Sequence, residues 1–254
     1  MVSFWILGYN LVATCQSYYL GGDLSHHLAN AGCHPSSPFP QSRPSGRPSF
    51  VMHILHIISS PRKAASDSIK LGNGIIERLR AAYPGSTVQV RDLATDPFPH
   101  LEEAQLQSFY TPAAQRTPAQ QVAARHSDEA IAEVMQADII VIGAPLYNFG
   151  IPSTLKAWID HVVRAGITFK YVDNQPVGLV TGKQAYVAVA SGAVYSEGFM
   201  KPYDFVVPYL QTVLGFIGIT DLNVVRVEGT AIPGVQDTAF EKALASIHIA
   251  VPAA

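Results

Sequence analysis

Three short segments hold the residue types that chemistry would need. The first, Ser59-Ser60-Pro61-Arg62-Lys63-Ala64-Ala65-Ser66-Asp67-Ser68, is rich in hydroxyls and runs into a helical pattern. The start of a helix gathers unpaired N–H donors and a partial positive charge, so a phosphate monoester suits this place, with Ser60, Ser66 and Ser68 as hydroxyl donors. Ser and Asp also favour the ordinary N-cap position, and the segment alone fits both uses. It contains no glycine, which excludes a dinucleotide fingerprint and a P-loop. It contains no cysteine either, which excludes the thiol chemistry of a low-molecular-weight tyrosine phosphatase.

The second segment is Ala144-Pro145-Leu146-Tyr147-Asn148-Phe149-Gly150-Ile151-Pro152. Two aromatics, an amide and flanking prolines beside an apolar run suit a flat heteroaromatic ring, framed by side chains and met at its polar edge by N–H groups. The same aromatics also suit the core of a tight turn. The third segment, Ser191-Gly192-Ala193, is small enough to let backbone approach a ligand. No Cys/His set has regular metal-ligand spacing, so no metal site is expected.

The elements that must position these segments follow from periodicity. His53–Ile58, Thr87–Asp92, Asp138–Gly143, Gln184–Ala190 and Asp221–Glu228 read as strands, and DIIVIG is apolar at nearly every position, as for a strand covered on both faces. Helical spacing follows the first strand up to Pro84-Gly85. Thr117-Pro118 opens a helix to about Gln136 as N-cap and first position. TLKAWIDHVVRAG reads as a helix closed by Gly166, Pro202–Phe216 as another, and Asp237–Ile249 as the last. Thr168–Val180 has strand-like ends around DNQP and predicts a hairpin. Residues 93–116, punctuated by Pro97, Pro99 and Pro112, read as a long connection. Strands alternating with helices predict a doubly wound parallel α/β sheet with helices on both faces, whose ligands lie beyond the carboxyl ends of the strands.

Composition narrows the partners. The chain has 254 residues, 48% of them hydrophobic and 14% charged, with a net charge of -2. That excludes global disorder and gives no basic field for nucleic acid. No apolar run approaches the roughly 20 residues that span a bilayer, so no membrane partner is expected. Both cysteines, Cys15 and Cys33, lie in residues 1–51, with a Ser/Pro-rich stretch from His34 to Ser49. This segment is expected to be a disordered or mis-assigned N-terminal extension, and residues 52–254 the working domain.

From Met52 onward the chain resembles the FMN-dependent NAD(P)H azoreductases, which also reduce quinones and belong to the flavodoxin-like group. SSPRKAASDS, APLYNFGIPSTLKAWIDHVVRAGITFKY, GLVTGK and PYLQTVLGFIGI carry the resemblance. It implies a flavodoxin-like five-stranded sheet in the order 2-1-3-4-5 with a small hairpin insertion. It implies FMN as cofactor and NADH or NADPH as reductant. Ser60, Ser66, Asp67 (through its backbone) and Ser68 would hold the FMN phosphate. Pro145, Leu146, Tyr147, Asn148 and Phe149, with Leu in place of the family's Met, would contact the flavin ring, together with Ser191 and Gly192. The family pattern after the fourth strand is S-R-G-G, so this loop is one residue shorter and lacks the arginine. Tyr171 and Phe216 would line a substrate pocket completed across a homodimer. The implied activity is ping-pong hydride transfer from NAD(P)H to quinones and aromatic azo compounds in the cytoplasm, with no catalytic side chain because flavin N5 carries the chemistry. A flavodoxin-type electron carrier is the competing reading. Such carriers are strongly acidic, and this chain is not.

Overall fold

The computed structural model describes residues 51–249. The expectations for residues 1–51 fall outside that span, apart from Val51. Among these residues, seven strands and six α-helices follow one another as β1 (His53–Ile58), α1 (Asp67–Ala82), β2 (Thr87–Asp92), α2 (Glu103–Tyr110), α3 (Pro118–Gln136), β3 (Ile139–Pro145), α4 (Ser153–Val162), β4 (Phe169–Val172), β5 (Gln175–Gly178), β6 (Gln184–Ala190), α5 (Val207–Ile217), β7 (Asp221–Val227) and α6 (Gln236–Ala245). Five of the strands form a parallel sheet ordered β2-β1-β3-β6-β7, while β4 and β5 form a separate antiparallel pair. With the hairpin strands set aside, this is the expected order. The switch point lies between β1 and β3, beside the first two candidate loops.

Alternation along the strands sorts the core into two layers. Leu55, Ile57, Ile140, Ile142, Val187 and Val189 face α3, α4 and α5. Ile54, Ile139, Val141, Tyr186 and Ala188 face α1 and α6. β3 is buried at every position, so burial on both faces explains its unbroken apolar run. His56 shares the α1 face and is buried against Gly72, where an added Cβ would lie 2.7 Å from His56 Nε2.

Three elements differ from the sequence expectation. The connection between β2 and α3 contains α2, closed at its start by a reciprocal Glu102/Gln105 capping box. Prolines on either side bound this helix without entering it. The helix expected over Pro202–Phe216 is split: a 3-10 turn spans Lys201–Tyr203 and α5 starts at Val207. Asp204 Oδ1 accepts the N–H groups of Val206 and Val207 at 3.0 and 3.1 Å, which restarts the helix there. α4 ends at Val162, before Gly166, because the Thr168 hydroxyl donates to Val162 O at 2.8 Å and accepts Arg164 N–H at 2.8 Å.

The predicted hairpin turns on Asp173 and Asn174, both with positive φ. Two left-handed residues give the turn whose twist matches the strands. Among the described residues, no helix is long and apolar enough to cross a membrane.

Candidate flavin site

The hydroxyl segment leaves β1 and enters α1 at the switch point. Ser59, Ser60, Ser66 and Ser68 are all buried. Ser59 Oγ donates to Gly143 O at 2.6 Å, which fixes the exit of β1 against β3. Ser66 occupies the N-cap position of α1, yet its side chain makes no cap hydrogen bond. Its hydroxyl instead lies 3.0 Å from that of Ser68. Ordinary capping therefore does not account for Ser66. Two buried hydroxyls at the positive end of a 16-residue helix form a donor set that fits a phosphate. Asp67 is half-buried and its carboxylate turns outward to Lys70 at 3.3 Å, leaving its backbone in the first turn of α1. Arg62 and Lys63 are exposed.

The second segment folds as a tight turn. Tyr147 and Gly150 exchange both backbone hydrogen bonds at 3.0 Å, with Asn148 at φ +48° and Phe149 at φ +70°. Non-glycine residues in that region cost about 1–3 kcal/mol each and cluster at ligand sites. Pro145 is buried at the end of β3, Leu146 is half-buried, and Tyr147 and Phe149 are exposed, so the two aromatics are not core residues. Ser60 Oγ and Tyr147 Oη lie 3.4 Å apart and bring the two segments together.

The third segment continues the sheet. Leu146 N–H donates to Ala190 O at 2.8 Å and Ser191 N–H to Val227 O at 2.9 Å. Ser191 is buried, with its hydroxyl donating to Ala193 O at 2.8 Å, while Gly192 is exposed. The three loops thus emerge side by side from β1, β3 and β6.

A cavity of about 940 Å³ opens beside the β3 turn. Of the residues singled out in the sequence, Tyr147 and Asn148 line it; Ser60, Ser66, Asp67, Ser68, Pro145, Leu146, Phe149, Ser191, Gly192, Tyr171 and Phe216 do not. Its other walls come from Ser59, Pro61, Thr154, Phe205 and Tyr209, among others, which sequence reading missed. Ser59 had a local signal, as the first half of a serine pair at a strand end. Phe205 and Tyr209 had none, because only the packing of α5 brings them there. Burial raises the Tyr209 hydroxyl above its usual range, against an opposing pull from Lys156, so it stays protonated at neutral pH and remains a donor.

Tyr171 and Phe216 lie elsewhere. Both pack on Phe169, with ring centroids 5.8 and 4.5 Å away. They form one aromatic cluster, in which Tyr171 is 65% exposed. His161, on α4 beside the ring segment, is structural: its ring N–H at Nε2 donates to Pro99 O at 2.9 Å among Phe98, Phe109 and His126. Burial lowers its basicity.

A five-stranded parallel sheet with its hydroxyl loop and aromatic turn at the switch point defines a flavodoxin-like protein. The chain belongs to the family described as flavodoxin-like fold, which matches residues 52–250. Among its relatives is the FMN-dependent NADH:quinone oxidoreductase of Herminiimonas arsenicoxydans, 52% identical over 178 residues, 70% of this chain and 87% of that one. A solved azoreductase from Bacillus anthracis str. Sterne superposes with a TM-score of 0.70 at 28% identity, covering 77% of this chain and 98% of that one. An FMN-dependent NADH-azoreductase from Bacillus anthracis str. Ames Ancestor, solved in complex with FMN, gives 0.67 at 27% identity, covering 76% and 97%.

Proposed function

We propose that this chain is an FMN-dependent oxidoreductase that takes hydride from NADH and passes it to quinones. The observation that carries this reading is the buried Ser66–Ser68 hydroxyl pair, which leaves α1 uncapped beside the Tyr147–Gly150 turn. The names of the relatives supply the reductant and the acceptor class. FMN, when bound, supplies the hydride-carrying centre between the two substrates. The chain's own work is to bind, orient and exclude water. Ser60, Ser66, Ser68 and the backbone of Asp67 would hold the phosphate. Pro145 to Phe149, with Ser191 and Gly192, would frame the ring. No side chain need act as an acid or base, since water can supply protons.

The finer reading is that NADH and acceptor use one cavity in turn, which gives ping-pong kinetics. Aromatic azo compounds would then be a second acceptor class, cleaved to amines in two rounds. Tyr171 and Phe216 would complete the pocket of a partner copy in a homodimer, which is consistent with their not lining the chain's own cavity. The working domain would be residues 52–254, acting in the cytoplasm.

Purified protein tests this directly. Flavin should copurify and be released by heat as FMN; protein that stays colourless after reconstitution rejects the proposal. Turnover should be compared for NADH and NADPH with a quinone and an azo dye. Parallel double-reciprocal lines are expected, and intersecting lines reject the ping-pong scheme. Sedimentation should give a dimer.

A further inference from the structure

Residues 191–206 join β6 to α5 and contain no arginine of their own. Two points of the segment are nonetheless linked through one guanidinium, that of Arg226 on the edge strand β7: Asp204 directly and Tyr195 by way of Glu228. Arg226 Nη2 donates to Asp204 Oδ2 at 2.5 Å, and Nη1 donates to Glu228 Oε1 at 3.4 Å. Glu228 Oε1 in turn accepts the N–H of Tyr195 at 2.8 Å. Asp204 is buried and commits its second oxygen to the first N–H groups of α5. One carboxylate therefore both caps a helix and pairs with the sheet edge.

The next residue carries this anchorage to the site. Phe205 N–H donates to Phe149 O at 3.2 Å, and Phe205 lines the cavity with Tyr147 and Asn148. Phe149 is one of the two left-handed residues of the turn. A strained turn persists only where its surroundings over-determine it. Its carbonyl is held by a residue that Asp204 and Arg226 fix in place.

We infer that Arg226 is a positioning residue: acting through Asp204, it fixes Phe205 and the Asn148–Phe149 turn, and so sets the width of acceptor that the cavity admits. The statement about acceptor width rests on the proposed oxidoreductase reading; the statement about position does not.

The test compares the FMN-reconstituted wild type with Arg226→Met, Arg226→Lys and Asp204→Asn. Hydrogen exchange reads position without using activity. Arg226→Met should speed exchange about tenfold in the peptides covering 147–150 and 195–207 and leave β1 and β3 protected, while Arg226→Lys stays near wild type. Steady-state kinetics then read width: KM for a two-ring naphthoquinone should rise about tenfold against that for a one-ring benzoquinone, with kcat changing less. Unchanged exchange at 147–150, or loss of protection across the whole sheet, overturns the positioning role. Altered exchange with an unchanged KM ratio overturns the control of width. A wild type without quinone turnover defeats the functional reading instead, and the exchange data then decide the positioning role alone. Should Arg226→Met fail to fold, Asp204→Asn carries the comparison, because Asn retains an acceptor for Val206 and Val207 while losing the charge.

Discussion

The hydroxyls of Ser66 and Ser68 lie 3.0 Å apart, buried at the first turn of α1, and Ser66 caps nothing. Each is the other's partner, so each must lose little to accept a better one. A phosphate oxygen at the same point would take both donors together with the helix N–H groups.

Ser66→Ala and Ser68→Ala should each weaken FMN binding by about 1–3 kcal/mol, the cost of leaving a charged acceptor without a donor. Fluorescence titration of apoprotein measures it. Unchanged affinity in both variants would remove the phosphate assignment.

Acid should destabilise the fold through His56. Burial lowers its pKa from 6.5 to about 4. Because the folded value is the lower, the unfolded chain binds the extra proton between those limits. Stability therefore falls as pH drops through that window, by roughly 3 kcal/mol in all. His161 is buried and lowered in the same direction, so His56→Leu should shrink the slope without abolishing it. Urea midpoints from pH 7 to 4 would show this, and an unaltered slope in His56→Leu would assign the effect elsewhere.

The corner formed by α2, α3 and α4 rests on one carboxylate shared by two arginines. Asp128 meets Arg116 at 2.6 Å and Arg164 at 2.5 Å, and the buried Arg164 guanidinium also lies 4.8 Å from the Phe109 ring centroid. Arg164→Met should cost about 1–3 kcal/mol, since it removes the charged donor of Ser127 and Asp128, although Asp128 is half-exposed and keeps Arg116. Denaturant unfolding is the measurement, and a loss within about 0.5 kcal/mol would class the pair with surface bridges.

Gly178 is where the β4–β5 hairpin meets the end of α5. A Cβ there would lie 2.2 Å from Gly218 N and 2.4 Å from Gly218 Cα, backbone that cannot swing aside. Gly178→Ala should therefore detach the hairpin, lower the thermal midpoint and loosen Tyr171, which is visible as faster exchange in residues 169–178. An unaltered midpoint would mean that the close approach is not needed.

The parallel sheet and the three loops were legible because they rest on local signals: apolar runs, helix starts and prolines; the strand order came only with the family resemblance. The helix α2 was hidden because its capping residues, Glu102 and Gln105, look like any polar pair between prolines. The break before α5 lies inside a continuous apolar run, where Asp204 accepts the N–H groups two and three residues on while Arg226, 22 residues later, pairs with its other oxygen. Tyr147 and Asn148 could be read from an aromatic-amide turn, whereas Phe205 and Tyr209 reach the cavity only through tertiary packing. Tyr171 and Phe216, expected to line a substrate pocket, pack on Phe169 and are not among the residues that line the cavity.

The bonds from Leu146 to Ala190 and from Ser191 to Val227 carry the ladder one step past the ends of β3 and β6. The spacing between the points where these loops leave the sheet is thus inherited from strand separation, about 4.8 Å. Side chains there can be exchanged, or a residue lost, while the anchors keep their distance, so the molecule offers a fixed frame on which acceptor preference can drift without refolding.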